Sequence, residues 1–391
     1  MNVLVLVPYL YDTVPGQRFR LEQWATALER RGVRFRFEPF ESRALKKVMY
    51  QRGQFRAKVT AAAQCTFDRI RLLARIRSEP WDVIVIYREL LPVGPPVLEW
   101  LLSRGPVPIV YDFDDAIFFP NVSEANRHLA WLKWPSKTGA ICRWSTHVIV
   151  GNEYLRQYAS AFNDAVTVVP TTIDDKKYVA DGRAALHDPP VIGWTGSLTT
   201  IKHLETIIGA FRRLRESVNF RLKVVGATEF SVPGVDVECV PWKADTEIAH
   251  LKEFDIGLMP LPDDEWARGK CGLKALQCMA LGIPVIVSPV GVNSHIISDG
   301  RNGFLASTES EWVEKIARLL GDVELRAGFA REGRKTIEAR YSAQIQAPAL
   351  LEVLKAASGA SRRPTGNAPA VTPNGGSSSN AECAPSGAAR T

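Results

Sequence analysis

The chain has 391 residues, 46% of them hydrophobic and 23% charged, with a formal net charge of +7. This length and composition admit two globular domains, each with a core of its own, and exclude a predominantly low-complexity chain. No run of about 18 apolar residues occurs, so no transmembrane helix is expected.

The start, MNVLVLVPYLYD, lacks a basic leader and reads as a first buried strand at 2–7 rather than as a signal peptide. Pro8 to Arg20 then form a loop containing Pro15 and Gly16, and a helix follows over 21–31 with Leu21, Trp24, Ala25 and Leu28 on one face. Gly32 stops it, and a second strand occupies 33–40. A β-loop-α-β start suits a doubly wound sheet, which holds ligands at the carboxyl ends of its strands, and so brings Gly16, Gln17 and Arg18 to a cleft mouth.

Residues 17–77 hold 16 Lys/Arg against 5 Asp/Glu, whereas the rest of the chain holds 33 against 37. In RALKKVMYQRGQFRAKV and FDRIRLLARI, basic and apolar residues interleave as on an amphipathic surface helix. An anionic membrane surface at residues 43–77 and a plainly solvated helix face both account for this pattern. No nucleic-acid-binding signature accompanies the charge, so no nucleic-acid partner is expected.

Further apolar runs predict strands at 82–87, 108–118, 147–152 and 165–170. The third strand in this domain after the basic stretch begins at His147; the one before it ends in Asp112, Asp114 and Asp115. Residues 171–190 are polar and aperiodic and read as a link between domains. A second set of strands is expected at 191–197, 220–226, 235–241, 254–261, 284–291 and 303–306. Helices are expected from about 201 to Glu216 and at 309–321, 323–340 and 343–356. The organisation is thus an α/β chain with a first Rossmann-like domain over 1–170, the linker 171–190, a second such domain over 191–342 and a closing helix. From 357 to 391 the composition is Ala, Ser, Gly, Pro and Asn, too poor in large apolar residues to offset its ordering entropy, so a disordered tail is expected.

The stretch GKCGLKALQCMALGIPVIVSPVGVN, 269–293, combines a glycine-bracketed turn, a helix and a buried strand. A helix start offers unpaired N–H groups and a positive dipole end, so with Lys270 and Lys274 nearby it suits a phosphorylated ligand. An ordinary α/β unit with two solvated lysines fits the same pattern. The six cysteines are scattered without a CxxC pair or a His/Cys cluster, which fits reduced thiols in a cytosolic protein. Cys271 and Cys278 read as small buried hydrophobes.

Taken together, GQRFR (16–20), YDFDDAIF (111–118), VGNEYL (150–155), VPTTID (169–174), IGWTGSLTT (192–200) and the run from FDIGLMPL to GVN, followed by DGRNGFLA, resemble the retaining-type GT-B glycosyltransferases. The likeness is to the group that includes glycogen and sucrose synthases, and within it to a bacterial branch making surface polysaccharide or lipid-linked glycans. It extends over residues 3 to about 345. The resemblance implies two Rossmann-like domains with a cleft between them, a nucleoside diphosphate sugar bound by the second domain and an acceptor bound by the first. It also implies transfer with retention, and no metal or other cofactor beyond the sugar nucleotide as co-substrate.

By the same resemblance, WTGSLTTIKHLETIIGAF aligns with the family's glycine-arginine-x-x-x-x-lysine-glycine segment, so Gly196 and Lys202 match and Lys202 becomes a contact for the donor diphosphate. Such a cation answers a chemical need, because charge accumulates on the leaving diphosphate. Ser197 stands where the family has arginine, and Lys270 is the expected substitute cation. The family's two glutamates, with seven residues between them, fall here on Gly269 and Gln277. A glutamine can still hydrogen-bond ribose hydroxyls, while Gly269 leaves the sugar to Asp264, Glu265, Lys270 or backbone groups, with Cys271, Gly272 and Leu273 forming the loop beside it. Asp112 and Asp114 are the candidates to orient an acceptor hydroxyl or take its proton. A magnesium site and a capped turn are the other readings of the aspartates. Gly16, Gln17 and Arg18 match the loop that closes over the donor phosphates or acceptor, and Trp242 fits either beside the base or in the core. The basic surface implies a lipid-linked acceptor at the inner face of the membrane. Two alternatives remain: a sugar-nucleotide epimerase of the same fold, or an inactive scaffold of that fold in a glycan-assembly complex. A nicotinamide dehydrogenase is disfavoured, since no GxGxxG follows either first strand.

Overall fold

The computed structural model describes residues 1–360 except 50, 52, 77, 120–132 and 183–184. The expectation of a disordered tail therefore lies outside the described residues from 361 onward.

The first sheet contains β1 (Asn2–Val7), β2 (Arg34–Pro39), β3 (Val83–Tyr87), β4 (Ile109–Phe113), β5 (His147–Val150) and β6 (Val166–Val168). Its order is β2-β1-β3-β4-β5-β6, and all the pairings are parallel. The second sheet contains β7 (Val191–Thr195), β8 (Arg221–Val225), β9 (Asp236–Val240), β10 (Ile256–Met259), β11 (Val285–Val287) and β12 (Phe304–Leu305). Its order, β12-β11-β10-β7-β8-β9, is again parallel throughout, with the direction of winding reversing between β7 and β10. Parallel strands are covered by helices on both faces and so read as continuous apolar runs. Strands β3, β4, β7, β10 and β11 are buried at every position.

All twelve expected strands are present, each within a few residues of the expected limits. The differences lie in the helices. The first begins at Pro15, whose fixed φ and missing N–H suit a helix start. It then widens into a π-helical turn over Arg18–Glu22 before continuing as Gln23–Glu29. Gly16, Gln17 and Arg18, expected on a loop, are therefore helical. The helix expected from 201 is broken into Ile201–Glu205 and Ile208–Arg215. The last helix runs from Ala343 to Gly359, three residues past its expected end. Its Ala347, Leu350, Val353, Leu354 and Ala357 pack against Val3, Val5 and Val85 of the first sheet, so the end of the chain returns to the domain where it began.

The link at 171–190 is packed rather than loose. Thr172 is buried and accepts a hydrogen bond from Trp24 Nε1 at 2.7 Å, and Tyr178 lies in the core of the second domain beside Phe19 of the first. Among the described residues no helix is long and apolar enough to cross a membrane.

Candidate active site

The residues that follow β4 and β5 face the loop at 268–272 that leads into the Leu273–Ala280 helix. Cys271 donates from its thiol to the Asp114 carbonyl at 3.1 Å, and Asn152 donates from its amide to the Lys270 carbonyl at 3.0 Å. Two glycines permit this approach. A Cβ at Gly151 would stand 2.2 Å from Cys271 Sγ, and one at Gly269 would stand 2.6 Å from the Ala116 Cβ. The glycine in place of the family's first glutamate is therefore a close-packing position between domains. Cys271 is part of the same contact; burial pushes its thiol pKa up, so it stays protonated and does not act as an anion.

Around this contact, three groups of side chains form. In the first, Tyr87 donates from its hydroxyl to Asp114 at 2.8 Å, Arg88 bonds both Asp114 and Asp115, and Lys270 reaches Asp115 at 2.8 Å across the domains. Burial opposes ionisation of Asp114, but Arg88 and Arg20 outweigh it and hold its carboxyl below the usual range. Gly16 belongs here: a Cβ on it would lie 3.1 Å from the Tyr87 hydroxyl and 3.6 Å from Asp114 Oδ2. Arg88 takes φ +60, a left-handed conformation uncommon for a residue with a side chain, where β3 ends.

Asp112 does not join this group. It is fully buried in an ion pair with Arg20 at 2.8 Å, itself fully buried, and burial pushes its carboxyl up to about 6 despite that partner. Its carboxylate is taken up by Arg20 inside the first domain, so the expectation that it meets the acceptor is corrected: its place is structural. Gln17 is likewise turned inward, holding Tyr9 and Glu22 through its amide.

The second group centres on Glu247, which is 1% exposed. It accepts from Arg18 at 3.0 Å, the Tyr178 hydroxyl at 2.7 Å, Trp242 Nε1 at 2.8 Å and Gln277 Nε2 at 2.8 Å. Gln277 is thus occupied by Glu247 in this structure, whereas the resemblance had it facing a ribose. Arg18 crosses from the first domain to reach this carboxylate. Sequence reading missed Glu247; its one signal is an acidic residue opening a helix after a strand of the second sheet.

The third group is cationic. Lys274, half-buried in the first turn of the Leu273–Ala280 helix, lies over the Trp194 ring at 4.5 Å and has no ion-pair partner among the described residues. Burial, and then Lys270, lower its pKa to about 7. His203 is buried, its Nδ1 unpartnered, and burial together with Lys274, Lys270 and Lys202 lowers it to about 4. Lys202 is exposed, as are Ser197 and the rest of the turn around it. Ser197 donates from its backbone N–H to Thr200 Oγ1 at 3.0 Å. Gly196 is required by crowding: a Cβ there would fall 2.2 Å from the Trp194 ring. Gly272, at φ +73, caps the helix, and its Cβ would strike Ile296 at 2.2 Å; Leu273 packs on the core. The structure therefore gathers Lys202, Lys270 and Lys274 with the turn at 196–197, on one side of a contact whose other side carries Gly16, Arg88, Asp114 and Asp115. Among the described residues no group of three or more metal-binding side chains occurs.

A sequence model of the family described as glycosyl transferases group 1 matches residues 189–322, which span the cationic and Glu247 groups. Curated relatives include the capsular polysaccharide biosynthesis glycosyltransferase CapM of Staphylococcus aureus, 24% identical over 187 residues, 44% of this chain and 48% of that protein. A D-inositol 3-phosphate glycosyltransferase of Stackebrandtia nassauensis is 25% identical over 198 residues, 43% of each chain. The alignments thus span about half the length of these relatives, or less. Among solved structures, sucrose-phosphate synthase from Thermosynechococcus elongatus superposes with a TM-score of 0.67 at 16% identity, covering 91% of this chain and 98% of that one. HepE of Anabaena, solved in complex with UDP and glucose, gives 0.63 at 16% identity over 91% and 99%. The fold is GT-B, two doubly wound domains facing one another across a cleft.

Proposed function

We propose that this chain is a glycosyltransferase that moves a sugar from a nucleoside diphosphate donor to a hydroxyl acceptor, with retention at the anomeric carbon. The observation that carries the reading is Lys274, a half-buried ammonium without a counter-ion, beside Lys270 and Lys202 at a helix start in the group 1 domain. A buried cation without a partner is costly, and an anion of more than one negative charge would relieve it. A diphosphate fits, and it leaves carrying the charge that these lysines stabilise. The likeness to the glycosyltransferase CapM supports sugar transfer, and the complexes of HepE with UDP support the same class of donor. Asp114, held ionised by Arg88, and Asp115, paired with Arg88 and Lys270, orient the acceptor hydroxyl, while the contact between domains excludes water from the donor.

The acceptor is glycan or lipid-linked glycan, met at an anionic membrane surface. The Phe55–Ile76 helix buries Cys65, Leu72 and Ile76 on one side and exposes Phe55, Val59, Phe67 and Ile70 on the other, with Arg56, Arg71 and Arg75 beside them. Lys46 and Lys47 lie on the preceding helix; Arg52 lies outside the described residues. An apolar stripe rimmed by cations suits an anionic bilayer.

Calorimetry with a panel of nucleoside diphosphate sugars, on wild type and on Lys202→Ala, tests the donor. One donor is expected to bind and to weaken about tenfold in the variant, the loss of one charge-assisted contact. Absence of binding by every donor would refute the reading. Reversing the charge of Lys46, Lys47, Arg52 and Arg56 is expected to abolish sedimentation with phosphatidylglycerol vesicles; unchanged sedimentation would sink the membrane part alone.

A further inference from the structure

We infer that the group 1 domain carries a second ligand site, a carbohydrate-binding groove formed by Thr206, Asp263, Ser288, Ser307 and Glu309, separate from the cationic cluster. The groove encloses about 370 Å³ where the chain leaves β10, β11 and β12. That volume lies in the range of small-molecule sites, roughly 300–1,000 Å³. It shares no lining residue with Lys202, His203, Lys270 or Lys274, although Thr206 donates from its hydroxyl to the His203 carbonyl at 2.7 Å.

The lining selects the ligand class. None of its residues is basic and two are carboxylates, so an anion is disfavoured. The helix start at its rim, Glu309–Gly321, cannot attract one either, because its capping box is closed: Glu311 accepts from the Ser307 and Thr308 N–H groups at 2.6 and 3.0 Å. A small cation is disfavoured because Asp263 already pairs with Arg268 at 2.7 Å. Thr206 and Ser288 keep protein partners in His203 and Leu261, but a purely apolar ligand would cover the Ser307 hydroxyl and the Glu309 carboxylate and offer them no hydrogen bond. What remains is a neutral ligand with many hydroxyls and an apolar face: carboxylates and Ser/Thr hydroxyls meet its O–H groups, and Pro262 and Pro289 its C–H face.

Glu309 is held for such a role. Its carboxylate lies against the Ile208–Arg215 helix at Gly209, where a Cβ would stand 2.0 Å from Oε2. Glycine inside a helix lowers its stability. Here its absent side chain is what gives the carboxylate room at the floor of the groove.

Saturation-transfer NMR with glucose, N-acetylglucosamine and maltose as probes tests the site on the full chain. At least one sugar is expected to give a signal that persists when UDP is added in excess. The signal is expected to fall about tenfold in Glu309→Ala and in Gly209→Ala, and to vanish in Ser307→Trp, which fills the groove. Thermal melts verify that each variant is folded, and Glu309→Ala, on an exposed residue, keeps the test open if Gly209→Ala is not. No signal from any sugar, displacement of the signal by UDP, or a signal indifferent to Glu309→Ala and Ser307→Trp would each overturn the inference. The Glu309 and Ser307 arms decide it even if UDP does not bind, so it stands apart from the donor assignment.

Discussion

Replacing Lys274 by Met keeps an unbranched stem over Trp194 and deletes only the charge, and the two expected consequences have opposite signs. Burial lowers the ammonium from its ordinary 10.5 to about 7. Between those values the unfolded chain holds a proton that the folded chain gives up, so folding of the wild type weakens as pH falls from about 10.5 to about 7 and then levels off. At 1.36 kcal/mol per pH unit the shift amounts to at most roughly 5 kcal/mol, which screening at an incompletely buried side chain reduces to about 2 kcal/mol. Loss of the attraction to the Trp194 face, roughly 0.5–1 kcal/mol, offsets part of this. Without ligand, Lys274→Met is therefore expected to unfold at higher denaturant than wild type at pH 7, by about 1 kcal/mol, and to match it or fall slightly below at pH 10.5. Binding of UDP is expected to weaken by about 1.5–3 kcal/mol, roughly 10- to 150-fold, because the diphosphate loses a charged partner. Denaturation across pH 6–10.5 and calorimetry on one preparation read both effects. A variant less stable than wild type by the same amount at every pH, with UDP affinity unchanged, would refute the assignment of Lys274 as an ammonium awaiting an anion.

Other sites give distinct outcomes. Asp112→Ala strands the Arg20 guanidinium in the core and is expected to cost about 3–5 kcal/mol in denaturant unfolding; a full loss of transfer with stability intact would instead return Asp112 to the acceptor site. Gly151→Ala pushes a methyl into Cys271 Sγ, 2.2 Å away, and is expected to open the contact between domains, seen as a larger radius of gyration in small-angle scattering; an unchanged profile would contradict the closure described here. Glu247→Ala leaves Arg18, Trp242 and Gln277 short of their common acceptor and is expected to destabilise the fold by about 1–3 kcal/mol for each group left unsatisfied, measured by thermal unfolding.

The twelve strands were legible because parallel strands buried on both faces must be apolar at every position, and the chain shows that in runs such as VIVIY at 83–87. The first helix was misjudged because Pro15 and Gly16 look like loop residues, whereas proline at a first helical position is favoured and Gly16 is selected by the Tyr87 hydroxyl 3.1 Å from its absent Cβ. The nearness of Lys270 and Lys274 to a helix start was legible from the glycine-bracketed turn before the helix, and Lys202 from the family resemblance. What the sequence does not display is which polar groups neutralise one another. Asp112 lies on β4 and Asp114 just past its end, yet one faces Arg20 in the core and the other Arg88 at the cleft. Arg88 and Glu247 went unnoticed because their partners come from elements 26 and 229 residues away, a pairing set by packing rather than by local pattern. Each left only a faint trace, Arg88 as the residue directly after a buried strand and Glu247 as an acidic residue opening a helix.

The most direct measurement is the position of a nucleoside diphosphate in the chain, by co-crystallisation with UDP. The account places the diphosphate in hydrogen-bonding reach of Lys274 and the turn at 196–197, with Lys202 or Lys270 completing the contact. Density for the diphosphate at another surface, with Lys274 unchanged over Trp194, would contradict it.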